Sequence, residues 1–92
     1  METITESSDN VFADLGFSAE ESALLAMRAE LMARLRETIA ERGWTQTEAA
    51  SHLGIGQSRV SDLVRGKWEK FSLDMLVTLA TRAGRKVVVA VA

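Results

Sequence analysis

The stretch TQTEAASHLGIGQSRVSDLVRGK, residues 45–67, constrains the fold more than any other part of the chain. Thr45 and Glu48 are spaced as a capping box, in which each side chain satisfies a free backbone N–H at a helix start. A short helix is therefore expected from Gln46 to Leu53. Gly54 allows the left-handed backbone of a tight turn, and a second short helix is expected from Gln57 to Val64 or Arg65, stopping at Gly66. Two helices this short cannot stand alone in water, so they must cross and bury a shared face. Ala50 is small where they would meet, and Leu53, Ile55, Val60 and Leu63 supply the inward apolar set that fixes the angle.

The rest of the chain supplies the support. Ser18 and Glu21 form a second capping box, and from Ala19 to Arg42 nothing breaks a helix. Leu24, Met27, Leu31, Leu35 and Ile39 recur on one stripe, and Gly43 ends the run. Such a helix would be about 36 Å long, so its first turns are expected either to project towards a partner or to bend near Arg28. Ser72 caps a further helix, Leu73 to Ala83, with Leu73, Leu76, Val77 and Ala80 on one face. Residues 1–10 are polar and aperiodic and read as a tail. NVFADLGF, residues 10–17, is too apolar for one and should fold back or dock on another chain.

The last eight residues, RKVVVAVA, change character. Four valines and no turn signal predict a β-strand, residues 85–92. A lone strand cannot satisfy its own backbone, so it must pair with the same strand of a second copy, with the N-terminal segment, or with a partner's sheet edge. Pairing with a second copy is favoured, the helix from Leu73 and this strand being the apolar material left to hold a dimer. The expected organisation is thus a tail, 1–10; a domain, 11–84; and the strand, 85–92.

Charge is divided along the chain. The formal net charge is -2, yet residues 1–44 hold nine acidic and four basic side chains, whereas residues 45–92 hold four acidic and seven basic. The local field, not the total, governs encounter with a polyanion. With 92 residues, 47% apolar and 26% charged, one small globular domain is expected. There are no cysteines, which excludes disulfides and thiolate metal sites. The N-terminus does not read as a signal peptide, and no apolar run is long enough to span a membrane, so a cytoplasmic protein is expected.

Residues able to carry chemistry are few. His52 lies four residues after Glu48, on the same face, but two ligands make a poor metal site. Ser51, His52 and Asp62 cannot act as a triad, since adjacent residues of one helix point about 100° apart. No enzyme activity, metal or cofactor is expected. The outward face of the helix starting at Gln57 is different. Gln57 has the donor and acceptor that adenine N7 and N6 require, Ser58 and Ser61 are adaptable, Asp62 can accept from cytosine N4, and Arg65 suits guanine or phosphate. Gln46 and Thr45, at the preceding helix start, can meet a phosphate where the dipole attracts anions. Lys67 and Lys70 would neutralise phosphates across the groove, and Arg59 could serve bases or phosphates. Trp44 is expected to plug the junction between the long helix and the motif, and Trp68 to pack over the fourth helix or lie on the DNA backbone.

Through this stretch the sequence resembles the XRE, or Cro and phage-repressor type, helix-turn-helix family. The order NVFADLGFSAEES, long helix, motif, FSLDMLVTLATRAGRKVVV is similar to the HigA-like antitoxins over Asn10 to Val91. That resemblance implies a mainly α, lambda-repressor-like bundle of four to five helices with a short C-terminal β-strand. It also implies a homodimer that binds operator DNA, represses its own operon and neutralises a RelE/HigB-like ribonuclease toxin. Positions aligned with Gln46, Gln57, Ser58, Asp62, Arg65 and Lys67 are the usual DNA contacts of the family. Gly56 departs from it, because Ser or Thr is commoner at that cap. The alternative is a protein-interaction module that keeps the motif only as scaffold.

Overall fold

The computed structural model describes Phe12 and residues 14–92; the expected tail, 1–10, lies outside the described residues. Helix α1, Ala19–Arg42, starts at the anticipated capping box: Ser18 Oγ accepts from the Glu21 N–H at 3.1 Å, and Glu21 Oε1 accepts from the Ser18 N–H at 2.9 Å. It runs unbroken to Gly43. Helix α2, Gln46–Leu53, repeats the device with Thr45 and Glu48 at 3.1 and 2.9 Å. Helix α3, Gln57–Val64, follows after three residues, and a single 3-10 turn, Trp68–Lys70, leads to α4, Leu73–Arg82, capped by Ser72.

Packing follows from which apolar faces are left over. α1 lies chiefly along α4, and α2 crosses α3, so the helical pair of the motif is held on a two-helix platform. Leu31, Met32, Leu35 and Ile39 of α1 share one core with Ala49, Ala50 and Leu53 of α2, Val60 and Leu63 of α3, and Leu76, Leu79 and Ala80 of α4. Phe71, from the loop before α4, is 1% exposed and fills the centre. Fully burying side chains of this size stabilises by about 1.5–3 kcal/mol each relative to exposure. Charged pairs such as Arg34 with Glu30, at 3.6 Å, stay on the outer face of α1.

The stripe on α1 holds only for its second half. Leu24 is 47% exposed, and Ser22, Leu25 and Ala26 are buried instead. The main core cluster takes in this helix from Leu31 onward, and the earlier turns of α1 bury a different face. Phe12 meets the Phe17 ring edge-on at 6.3 Å and the Trp68 ring at 6.1 Å, so the chain folds back at Phe12. Trp68 packs on the core.

The predicted C-terminal strand is not formed; residues 85–92 have no regular secondary structure. A strand needs a ladder to satisfy its backbone, and no second strand is present among the described residues. The segment is nevertheless anchored at its start. Arg85 donates from Nε to Thr38 Oγ1 at 2.8 Å and from Nη2 to Glu41 at 3.0 Å, and Val87 packs on the core. Val89 and Val91 are 68% and 92% exposed.

Both capping-box glutamates are held below the ordinary carboxylate value of 4.5, first by the backbone N–H of Ser18 or Thr45 and then by the hydroxyl of the same residue. A depressed folded-state pKa contributes stability above the unfolded value, lost as pH falls through the folded value. Thermal melts taken from about pH 7 down to about pH 3 should therefore fall more steeply for wild type than for Glu21→Gln/Glu48→Gln, which keeps the boxes but not the titration.

Candidate nucleic-acid interface

The geometry of the α2–α3 pair rests on one turn. Gly54 has φ 69°, and its N–H and that of Ile55 both bond to the Ala50 carbonyl, at 2.8 and 3.1 Å. A side chain there would be strained by the positive φ, and its Cβ would lie 3.2 Å from Arg82 Nη1. That contact has a purpose. Arg82 Nη1 donates to the Leu53 carbonyl at 2.9 Å, placing a cation on the last turn of α2, where the helix dipole is negative. Arg82 thereby ties α4 to the turn of the motif. Nothing local in the sequence marks Arg82 for this role, because a basic residue in the last turn of α4 says nothing about the neighbouring helix.

α3 begins at Gly56, whose backbone is extended and which has no side-chain cap. Its first donors are therefore not occupied by a hydroxyl or carboxylate. Successive residues turn by about 100° along a helix, so with Val60 and Leu63 fully buried the opposite direction falls between Ser58 and Arg65, flanked by Ser61 and Asp62. Gln57, Ser58 and Arg65 are exposed, and Ser61 and Asp62 are half-buried. Gln57 sits on the flank of this face, in the first turn. Thr45 and Gln46 are exposed at the start of α2, with the Thr45 hydroxyl already accepting from Glu48.

Two residues expected at the interface also make contacts within the protein. Arg59 is half-buried, with its guanidinium 4.5 Å from the centre of the Phe71 ring, in a cation–π contact that fastens α3 to the core. Its wheel position, about 100° from Ser58, turns it away from the outward direction. Asp62 is paired: Lys67 Nζ lies 3.9 Å and Lys70 Nζ 3.7 Å from its two carboxylate oxygens. Both lysines still carry accessible side chains, 40% and 51% exposed.

The junction with α1 is closed by a stack. The Trp44 and His52 rings are nearly parallel, 10° apart in plane with centroids at 4.1 Å, and the Arg42 guanidinium lies 5.4 Å from the indole. Trp44 thus bridges the end of α1 and α2 as anticipated, and His52 has a packing role. Nothing in this surface assembles a nucleophile with a base. It offers amide, hydroxyl and cationic donors on a helix braced at both ends.

A family model described as a helix-turn-helix domain matches residues 11–92. No curated protein and no solved structure is significantly similar to the chain.

Arg82→Ala should lower stability by about 1.5–3 kcal/mol, the range for a hydrogen bond to a charged group. Gly54→Ala should be destabilising by about 1–2 kcal/mol from its positive φ. In the Arg82→Ala background the Gly54→Ala penalty should shrink, because the 3.2 Å approach is gone while the backbone strain stays. Denaturant melts of the four proteins check this, and strictly additive costs would contradict it.

Proposed function

The chain belongs to the helix-turn-helix domain family, and on that premise we propose that it is a sequence-specific DNA-binding transcriptional regulator. The observation that carries this reading is the outward face of α3, with Gln57, Ser58 and Arg65 exposed on a helix whose crossing with α2 is locked by Gly54 and Arg82. In the proposed mode the N-terminal turns of α3 enter the major groove. Gln57 and Ser58 meet base edges, and Arg65 takes a guanine or a phosphate. The start of α2, at Thr45 and Gln46, meets the backbone on one side, and Lys67 and Lys70 meet it on the other. Arg59, held over Phe71, serves by positioning α3.

The regulator acts as a homodimer in this reading. Residues 85–92 carry exposed Val89 and Val91 beyond an anchored Arg85 and Val87, an arrangement suited to forming a strand once a second copy supplies the ladder. The resemblance to HigA-like antitoxins extends the proposal to a RelE/HigB-like toxin as protein partner. The acidic N-terminal half suits a basic ribonuclease, and Leu15 and Leu24 are exposed apolar side chains at that end. The same exposed residues favour the competing reading, a protein-interaction module with no DNA role.

Gel-shift titration against the DNA upstream of its own reading frame, over a salt series, separates the two. Sequence-dependent binding is expected, and failure to bind at low salt would sink the regulator. Gln57→Ala should cost about 1–3 kcal/mol and relax preference at one base pair. Lys67→Ala should weaken binding to the upstream duplex without altering preference at any single base pair, and reduce the salt slope there by about one. Truncation after Val87 keeps the Arg85 anchor and should give a monomer by light scattering; a persisting dimer would refute pairing through this segment.

A further inference from the structure

The end of α3 carries an arrangement that base reading does not explain. Gly66 has φ 75°, its N–H bonds to the Leu63 carbonyl at 3.1 Å, and the Lys67 N–H bonds to the Asp62 carbonyl at 3.0 Å. This is a Schellman closure, in which the residues at the Asp62 and Lys67 positions are brought together and commonly make an apolar contact. Here the pair is ionic, and the 3-10 turn adds Lys70 to the second oxygen of the same carboxylate. The Asp62 side chain is only 19% exposed. It is thus linked to Lys67 through both backbone and side chain, at the rim of the face that presents Ser58 and Arg65.

A carboxylate so placed has three consequences for a polyanion. It repels phosphates that approach the rim, it offsets part of the charge of two lysines, and it directs their ammonium groups towards itself. Each effect weakens backbone-only binding, which depends on cations free to displace counterions. Where base contacts at Gln57 and Ser58 seat α3 in a groove, the phosphates are held in one register that can draw Lys67 and Lys70 away from Asp62, so the loss is smaller there. On random sequence α3 is not held in that register, and the loss is felt in full. We propose that Asp62 is a specificity-determining residue, not a base reader: a carboxylate latch that restrains Lys67 and Lys70 and suppresses binding to non-cognate DNA. This inference rests on the reading of the chain as a DNA-binding protein.

The test compares wild type, Asp62→Asn, Asp62→Ser and Asp62→Glu, each in the full chain and in a Lys67→Ala/Lys70→Ala background. Fluorescence anisotropy is read on a random-sequence duplex and on the upstream duplex over a salt series. Asp62→Asn and Asp62→Ser should bind random duplex roughly three- to tenfold more tightly than wild type, with a salt slope steeper by about one to two units. They should gain less on the upstream duplex, so the ratio of the two affinities falls. Asp62→Glu should keep the wild-type ratio. Without the two lysines, the gain on random duplex should largely vanish, which a general reduction of negative charge would not produce. An unchanged ratio in both neutral variants overturns the latch while leaving DNA binding intact. Loss of preference at a single base pair instead makes Asp62 a base reader and also overturns it. If wild type binds no duplex at low salt, the regulator reading and the latch fall together.

Discussion

Everything the molecule presents depends on the α2–α3 crossing, and that crossing depends on the bond from Arg82 to the Leu53 carbonyl beside Gly54. Two eight-residue helices have little stability of their own, since nucleation is costly and each makes few internal hydrogen bonds. Their relative angle is set from outside. Ala50 lets the helices approach, Leu53, Val60 and Leu63 seal the contact, and α4 reaches back through Arg82 to hold the turn. A displacement of this turn would rotate the whole outward face of α3.

The second brace is aromatic. Phe71 fills the centre of the core, and Arg59 lies across its ring from α3. Trp44 stacks on His52 and also meets the Arg42 guanidinium, joining the end of α1 to α2. Basic side chains in this small protein are thus divided by task. Arg59, Arg82 and Arg85 hold elements together, whereas Arg65, Lys67 and Lys70 are the cations at the surface of the candidate interface. Counting charges along the chain cannot make this division, because it depends on which groups lie within about 4–6 Å of each cation.

The N-terminal half has a different character. It holds most of the acidic residues, and the first turns of α1 bury Ser22, Leu25 and Ala26 outside the main core cluster. Phe12 packs on Trp68 and Phe17, while Leu15 and Leu24 stay exposed. The cations of the candidate interface thus lie in the other half of the chain from this acidic, partly apolar end, a division that suits the proposed regulator with both a DNA and a protein partner.

Local chemistry was enough to place every helix boundary that matters. The Ser18–Glu21 and Thr45–Glu48 boxes and the stops at Gly43 and Gly54 involve residues within five positions of each other, so they can be read without knowing the fold. The same holds for the inward set at Ala50, Leu53, Val60 and Leu63. What only the tertiary structure decided were contacts between residues distant in sequence. Arg59 went to Phe71, Arg82 to Leu53, Arg85 to Thr38, and burial on α1 shifted from Leu24 to Leu25 ahead of the main core cluster. The valine-rich end marks the limit from the other side. Its residues favour a strand, but a strand exists only when a neighbouring chain segment completes its hydrogen bonds, and no propensity can supply that neighbour.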